Sequence, residues 1–362
     1  MADAARFDKN MAAAGSEEQA CRWLKIPHPA IRVEGLGFFA AEGAWNRLPE
    51  ALLPVLREKR PALVELARHT AGAALEFVTD SPNVWVRATV DAPAYMSHMT
   101  PAAQCGFDCY VQPPQGDWIF AGLTKFPVAD STFCCQLARD LPPGTRVRIH
   151  LPLYIGVQSV EVGLQLGSKA EMPPAFSRRA VAFYGTSITQ GGCATRPGMA
   201  YPAILSRLLD APAYNLGFSG NGVGMPELAG AICALPKLGA LVVDIEANAA
   251  PEGVLGQNLP RFLDAVRAYA PHLPVLVLSA SLRPASLWNS ALAAEAEKNA
   301  ALQREEVEKR RAAGDDALWF ADARQQMGPV GPEATVDGTH LTDLGFYALA
   351  QGLAPLLDKM LK

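Results

Sequence analysis

Two tracts far apart in this 362-residue chain hold side chains that can do chemistry together. The first is Gly185-Thr186-Ser187-Ile188-Thr189-Gln190-Gly191, directly after an apolar run, Val181 to Tyr184. The glycine allows a tight turn, and the serine then stands at a strand end and opens a helix. The second is Val336-Asp337-Gly338-Thr339-His340-Leu341-Thr342. A serine hydroxyl is a weak nucleophile until a base takes its proton, and histidine is the side chain that does so near neutral pH. A carboxylate must then fix the imidazole tautomer and stabilise the imidazolium. Asp337 and His340, three apart, fit side by side on one turn. A lone turn serine is usually structural, and a lone Asp-x-x-His is usually surface chemistry or a cap; the three together make a nucleophile, a base and its orienting acid. The serine tract is not the Gly-x-Ser-x-Gly elbow, because Thr189 stands where the last glycine belongs.

The elements that must position these residues change character near residue 175. Before it, short runs such as IRVEGLGFFA, ALEFVTD, VWVRATVDA, CGFDCYVQ, WIFAGLTKF, RVRIHLPLY and SVEVGLQL are separated by Ser-Pro-Asn, Pro-Pro-Gln-Gly-Asp and Pro-Pro-Gly-Thr. Val84, Val86, Ala88 and Val90 alternate with Trp85, Arg87 and Thr89, the period of a half-buried strand. Such spacing predicts a β-sandwich or jelly roll, with one helical interruption from about Glu50 to His69. Gly167 to Arg179 reads as a linker. Beyond it, AVAFYG, AYNLGF, ALVVDI, PVLVLSA and ALWFAD alternate with helical stretches. That order predicts a parallel sheet covered on both faces, with its chemistry at the carboxyl ends of the strands. The expected units are 1–170, a sandwich, and 171–362, a three-layer α/β/α unit.

Composition bounds the function. Half of the residues are hydrophobic, and a net charge of −4 with interspersed signs offers no field for nucleic acid or an anionic membrane. No stretch approaches the ~18 apolar residues of a membrane span, and the first twenty residues have no apolar leader core, so a cytoplasmic location is expected. The seven cysteines form no disulfide framework and no paired Cys-x-x-Cys zinc site; Cys105 and Cys109 lack further ligands at a matching spacing. No metal is expected, and a small neutral or weakly charged substrate is.

At four places the sequence resembles the GDSL/SGNH hydrolase family. FYGTSITQGG resembles the first signature block, with Thr186 where the name-giving aspartate usually stands. NLGFSGNG, Asn215 to Gly222, resembles the second, VVDIEANAA, Val242 to Ala250, the third, and DGTHLTDLGF the fifth. The match runs from about Ala180 to Lys362 in the family's order. The resemblance implies Ser187 as nucleophile, Asp337 and His340 as its partners, and an oxyanion hole of the Ser187 N–H, the Gly220 N–H and the Asn248 side chain. It also implies a three-layer α/β fold and acyl hydrolysis or transfer without a cofactor. The third block departs from Gly-x-Asn-Asp, with Glu246 for the glycine and Ala249 for the aspartate. The longer tract through Asp210 resembles a subgroup with an N-terminal β-sandwich, among which carbohydrate acetyl esterases and some acyltransferases occur.

The expected activity is therefore hydrolysis of a short-chain ester, acetyl foremost, of a carbohydrate or small polyol. One alternative is an acyltransferase using the same acyl-enzyme; another is a binding protein with a dead hydrolase site. A dinucleotide site is a rival reading, since Gly220-Asn221-Gly222-Val223-Gly224 precedes a helix and Asp244 ends the next strand; Met225 stands where the third glycine belongs. Arg196, just after the nucleophile block, is a candidate substrate contact set against a solvated loop arginine. Trp85, Tyr110 and Trp118 are candidate sugar-stacking rings set against core aromatics.

Overall fold

The computed structural model describes residues 6–12 and 21–362. Most of the polar N-terminal stretch, residues 1–5 and 13–20, lies outside the described residues.

Among the described residues, ten short strands build the first half: β1 Cys21–Lys25, β2 Arg32–Glu34, β3 Ala74–Thr79, β4 Val84–Val90, β5 Asp108–Gln112, β6 Ile119–Leu123, β7 Thr132–Ala138, β8 Thr145–His150, β9 Val157–Gln165 and β10 Ala170–Glu171. One antiparallel sheet runs β1-β9-β4-β7 and the other β10-β3-β8-β5-β6, with β2 also on β3. Val84, Val86, Ala88 and Val90 face a core shared with Leu75 and Phe77 of β3 and Val147 and Ile149 of β8, so both sheets close on one interior. This is the expected sandwich.

The second half has five strands, β11 Ala180–Gly185, β12 Ala213–Gly217, β13 Leu238–Asp244, β14 Val275–Leu278 and β15 Leu318–Ala321, all parallel in the order β12-β11-β13-β14-β15. The side-chain period of two sends alternate residues of β11 to opposite faces. Ala182 and Tyr184 pack with Phe262 and Val266 of the helix Leu255–Tyr269. Val181 and Phe183 pack with Ile204 and Leu205 of the helix Tyr201–Leu209 and with Phe346 and Leu353 of the helix Asp343–Met360. The layers are α/β/α. No helix among the described residues is long and apolar enough to cross a membrane.

Three expectations change on contact with the structure. The helical interruption is broken into Glu50–Leu52, Leu53–Lys59 and Ala62–Leu66. The break falls at Arg60, whose φ of −154° reflects the exclusion of helical backbone before Pro61. These helices also leave the sandwich: Leu56 and Leu63 are fully buried against the parallel sheet's core, beside Tyr184 and Leu228. The stretch read as a linker is not a free tether. Its residues 170–171 pair with Thr79 and Val78, Arg32 donates to the Pro174 carbonyl at 2.8 Å, and Phe176 packs under the Arg32 and Arg148 guanidiniums.

Candidate active site

The strand β11 delivers Ser187 to the carboxyl edge of the parallel sheet. Thr186 ends the strand with extended backbone, and its hydroxyl accepts the Ile188 N–H, capping the short helix Ser187–Gln190. Threonine thus serves as the turn's cap where an aspartate stands in the family pattern. Gly185 is not needed for an unusual φ. It is needed for space: a Cβ there would lie 2.1 Å from the Thr189 hydroxyl and 2.7 Å from the Asp244 carbonyl oxygen. Beneath the turn, Thr189 donates to Asp244 Oδ2 at 2.7 Å. Burial pushes that carboxyl up to about 7, partly countered by the Thr189 hydroxyl.

Ser187 and His340, 153 residues apart, meet with Oγ 2.8 Å from Nε2. His340 Nδ1 lies 2.7 Å from Asp337 Oδ2, and Asp337 Oδ1 accepts the N–H groups of Thr339 at 3.0 Å and His340 at 2.8 Å. Partial burial raises the Asp337 carboxyl, but these bonds outweigh it and hold the group below its usual range. An ionised carboxylate only accepts, so His340 has a proton on Nδ1, and the neutral ring then turns a lone pair on Nε2 to the Ser187 hydroxyl. The loop holding both residues is closed by a Val336 N–H to His340 carbonyl bond of 2.8 Å, and Thr342 then caps the last helix.

The three donors implied for an oxyanion hole come from three strand ends. Ser187 opens its helix, so its N–H has no partner within the turn. Gly220 follows β12 with φ +68°, a left-handed conformation that glycine adopts without strain. Asn248 lies in the turn Glu246–Ala249 after β13. Its Oδ1 accepts the Gly222 N–H at 3.2 Å, which leaves its amide hydrogens for another acceptor. Gly222 in turn touches the nucleophile's turn, since a Cβ there would sit 2.0 Å from the Gly185 oxygen and 2.9 Å from the Thr186 nitrogen. The departures in the third block have a structural meaning. Glu246 is buried, and its Oε2 accepts the Ala280 N–H at 2.8 Å and the Gln303 side chain at 2.7 Å; burial pushes its carboxyl up.

Several residues around the site left no mark in the sequence, because they come from the sandwich half. Tyr154 donates to the Ser187 carbonyl at 3.4 Å. His69 stands 3.1 Å from the Gln190 amide nitrogen, while Gln190 Oε1 accepts the Ser219 N–H at 2.9 Å. Burial, helped by Arg47 and Arg68, pushes the His69 imidazole down to about 3, so it is neutral. Buried Arg47 donates to the Asn215 carbonyl at 3.1 Å and the Leu66 carbonyl at 2.6 Å. Arg60 donates to the Gly220 carbonyl at 3.1 Å, to Asn221 Oδ1 at 2.7 Å and to Glu252 at 2.6 Å.

Other sequence candidates stand elsewhere. Arg196 is held in place rather than being a solvated arginine. It pairs at 3.1 Å with Asp108 of β5, which is wholly buried, contacts the Tyr110 hydroxyl and lies 3.9 Å over the Phe120 ring. Trp85 and Tyr110 are buried, and Trp118 lies against the Arg146 and Arg148 guanidiniums, so none is an open stacking ring. The dinucleotide reading fails because Gly222 is packed against backbone and the Asp244 carboxylate faces Thr189. Cys105 and Cys109 are buried thiols, both pushed up by burial.

Residues 178–358 match a family model described as GDSL-like lipase/acylhydrolase, and residues 21–170 match one described as the N-terminus of SGNH-hydrolase-type esterases. A Bacteroides ovatus protein described as a GDSL-like lipase is 28% identical with a TM-score of 0.83, over 94% of this chain and 98% of that one. A salicylyl acyltransferase from a tetracycline biosynthetic pathway is 21% identical with a TM-score of 0.76, over 96% of this chain and 100% of that one; at that identity the likeness is one of fold. No curated protein sequence matches the chain significantly. With one model over the α/β half and its partner model over the sandwich, the chain belongs to the GDSL-like lipase/acylhydrolase family and is a carboxylic ester hydrolase.

Proposed function

We propose that the protein is a serine esterase that removes short acyl groups, acetyl foremost, from a carbohydrate or small polyol through an acyl-enzyme on Ser187. The observation that carries this reading is the hydrogen-bonded series Ser187–His340–Asp337, at 2.8 and 2.7 Å. Ser187 Oγ attacks the ester carbonyl as His340 Nε2 takes its proton, and His340 then delivers that proton to the leaving alcohol. Asp337 keeps the imidazole oriented and stabilises its charged form. The N–H groups of Ser187 and Gly220 and the Asn248 amide receive the developing oxyanion. Water, activated by His340, then attacks the acyl-enzyme and releases the acid.

A short acyl group suits a nucleophile that is only 7% exposed. Beside it Gly192 packs closely, since a Cβ there would lie 2.8 Å from the Tyr154 hydroxyl and 3.0 Å from the His340 ring. A polar alcohol suits the ionisable rim that Asp337 and His340 present. Transfer of the acyl group to an acceptor hydroxyl instead of water is the second reading, and it uses the same residues.

The test is Ser187→Ala assayed on p-nitrophenyl esters of rising chain length, with and without sugar acceptors. The expected loss of kcat is on the order of 10⁴ to 10⁶ with the fold retained. Acetate is expected to be the preferred acyl group, and acceptor-dependent product would favour transfer. Substantial turnover by a folded Ser187→Ala protein would sink the reading.

A further inference from the structure

Four metal-binding side chains converge at the rim of the site. His98, Cys193, Asp337 and His340 each bring a ligand atom to within 4.8 Å of the other three. They arrive from separate stretches of chain. His98 stands in the irregular segment between β4 and the short helix Pro101–Gln104 of the sandwich half. Cys193 lies in the turn after the Ser187–Gln190 helix, and the other two lie in the loop before the last helix. His98 Nε2 is 3.9 Å from Asp337 Oδ2, and the His98 and His340 ring centroids are 6.3 Å apart. Cys193 is a buried free thiol held at φ +70°, a backbone conformation that residues other than glycine seldom adopt. Neither His98 nor Cys193 has a part in the reaction set out above.

We propose that these four side chains form an inhibitory site for a thiophilic divalent transition-metal ion, Zn²⁺ foremost, whose binding switches the hydrolase off. That binding stands on the cluster alone; that it inhibits rests on the reading of His340 as the base. One thiolate, two imidazoles and one carboxylate make the mixed sulfur, nitrogen and oxygen set that zinc takes in tetrahedral geometry. Hard cations such as Mg²⁺ and Ca²⁺ want oxygen, and the cluster holds a single carboxylate. Zinc bonds of about 2.0–2.3 Å place neighbouring ligand atoms roughly 3.5 Å apart, so the cluster must draw in by about 1 Å. The His98 side chain, exposed at the rim, has room to turn toward the other three. Burial, with Asp337 nearby, pushes the Cys193 thiol up to about 11, and the metal would replace its proton, which goes to water.

The effect on the proposed base follows from proton bookkeeping on the ring. A metal on His340 Nδ1 needs that nitrogen unprotonated and separates it from Asp337. The ring proton then sits on Nε2 and points at Ser187 Oγ, so the imidazole donates to the hydroxyl and has no lone pair to take its proton. A metal on Nε2 would displace the hydroxyl itself. Either mode removes the base.

The test uses the full chain, Co²⁺ as a spectroscopic probe and Zn²⁺ in a metal buffer. Co²⁺ should give a thiolate-to-cobalt charge-transfer band that saturates near one ion per chain. Zn²⁺ should abolish p-nitrophenyl acetate hydrolysis reversibly, a chelator should restore it, and Mg²⁺ should have no effect. Cys193→Ser should lose the band, and Cys193→Ser and His98→Ala should each raise the zinc concentration for half-inhibition about tenfold or more while keeping basal turnover within about threefold. Ser187→Ala should still bind Co²⁺ with the same band. Absence of the band, equal inhibition by Mg²⁺, or unchanged zinc sensitivity in both variants would overturn the proposal. A Ser187→Ala protein that binds Co²⁺ through Cys193 yet still hydrolyses the ester would leave the metal site standing and remove the catalytic reading.

Discussion

Asn248 is where a single residue decides most. In sequence its neighbours Glu246 and Ala249 break the family pattern and put its role in question. In the fold, Glu246 is an internal anchor that ties this turn to Ala280 and to Gln303 of the long helix Ser290–Ala312, and Asn248 Oδ1 is fixed by the Gly222 N–H. A side chain fixed by its acceptor end is preorganised to donate at the other. Its hydrogen bond should strengthen as the ester oxygen gains charge, so Asn248→Ala should lower kcat by ~10²-fold with little change in KM. Steady-state kinetics check this, and a rate within about threefold of wild type would remove Asn248 from the oxyanion hole. The Ser187, Asp337 and His340 side chains were legible because each sits in a short local pattern, a strand end or a three-residue spacing. Arg196 was not, because its partner Asp108 lies 88 residues upstream in the other sheet system. An ion pair between a loop and a distant strand leaves no periodic trace near either residue.

Among the elements, the loop after β12 depends on the broken helices of the first half. Arg60, at the break, holds the Gly220 carbonyl and the Asn221 side chain and is itself held by Glu252. If the Gly220 N–H is an oxyanion donor, Arg60 is a positioning residue for it. Arg60→Ala should then lower kcat by roughly tenfold, the scale of one charge-assisted hydrogen bond on a partly exposed group, with KM little changed. Arg60→Lys should recover part of the loss, and a thermal melt should show both variants folded. A change confined to stability or to KM would show that the loop does not need this anchor. Nothing in the order of residues hints at the connection. The apolar spacing between Glu50 and His69 records that one face is buried, not which sheet it is buried against. Pro61 was visible, and its consequence, a break at Arg60, follows from local sterics alone.

For the molecule as a whole, a division between residues 170 and 171 cuts through β10, which pairs with β3, and it does not separate the cores. Leu48, Leu56, Leu63 and Ala67 are buried with Tyr184 and Ile232, while Met99, Ala103, Leu153 and Tyr154 are buried with Phe183 and Phe346. Both faces of the parallel sheet are therefore completed by side chains from the first half. We expect a single cooperative unfolding transition by calorimetry, and we expect residues 171–362 expressed alone to be unfolded or aggregated. Two resolved transitions, or a soluble folded C-terminal fragment, would show two independent units. The order of architectures was legible because a period of two and a strand–helix alternation are different signals. The interlock was not, since apolar residues from both halves look alike until the chain is folded.

The contact between Gly222 and Gly185 also bears on how such a protein diversifies. Backbone lies on backbone at the end of the nucleophile strand, and a side chain at either position would overlap main-chain oxygen within 2.0 to 2.7 Å. Variation there is closed to selection, natural or in the laboratory. The irregular segment of residues 91–100, which leads to the rim through His98, is anchored by buried Met99 and by Gln104 but is exposed at most of its other positions. A lineage built on this plan can keep its reaction centre unchanged and change its diet by rewriting a loop that belongs to the other half of the chain.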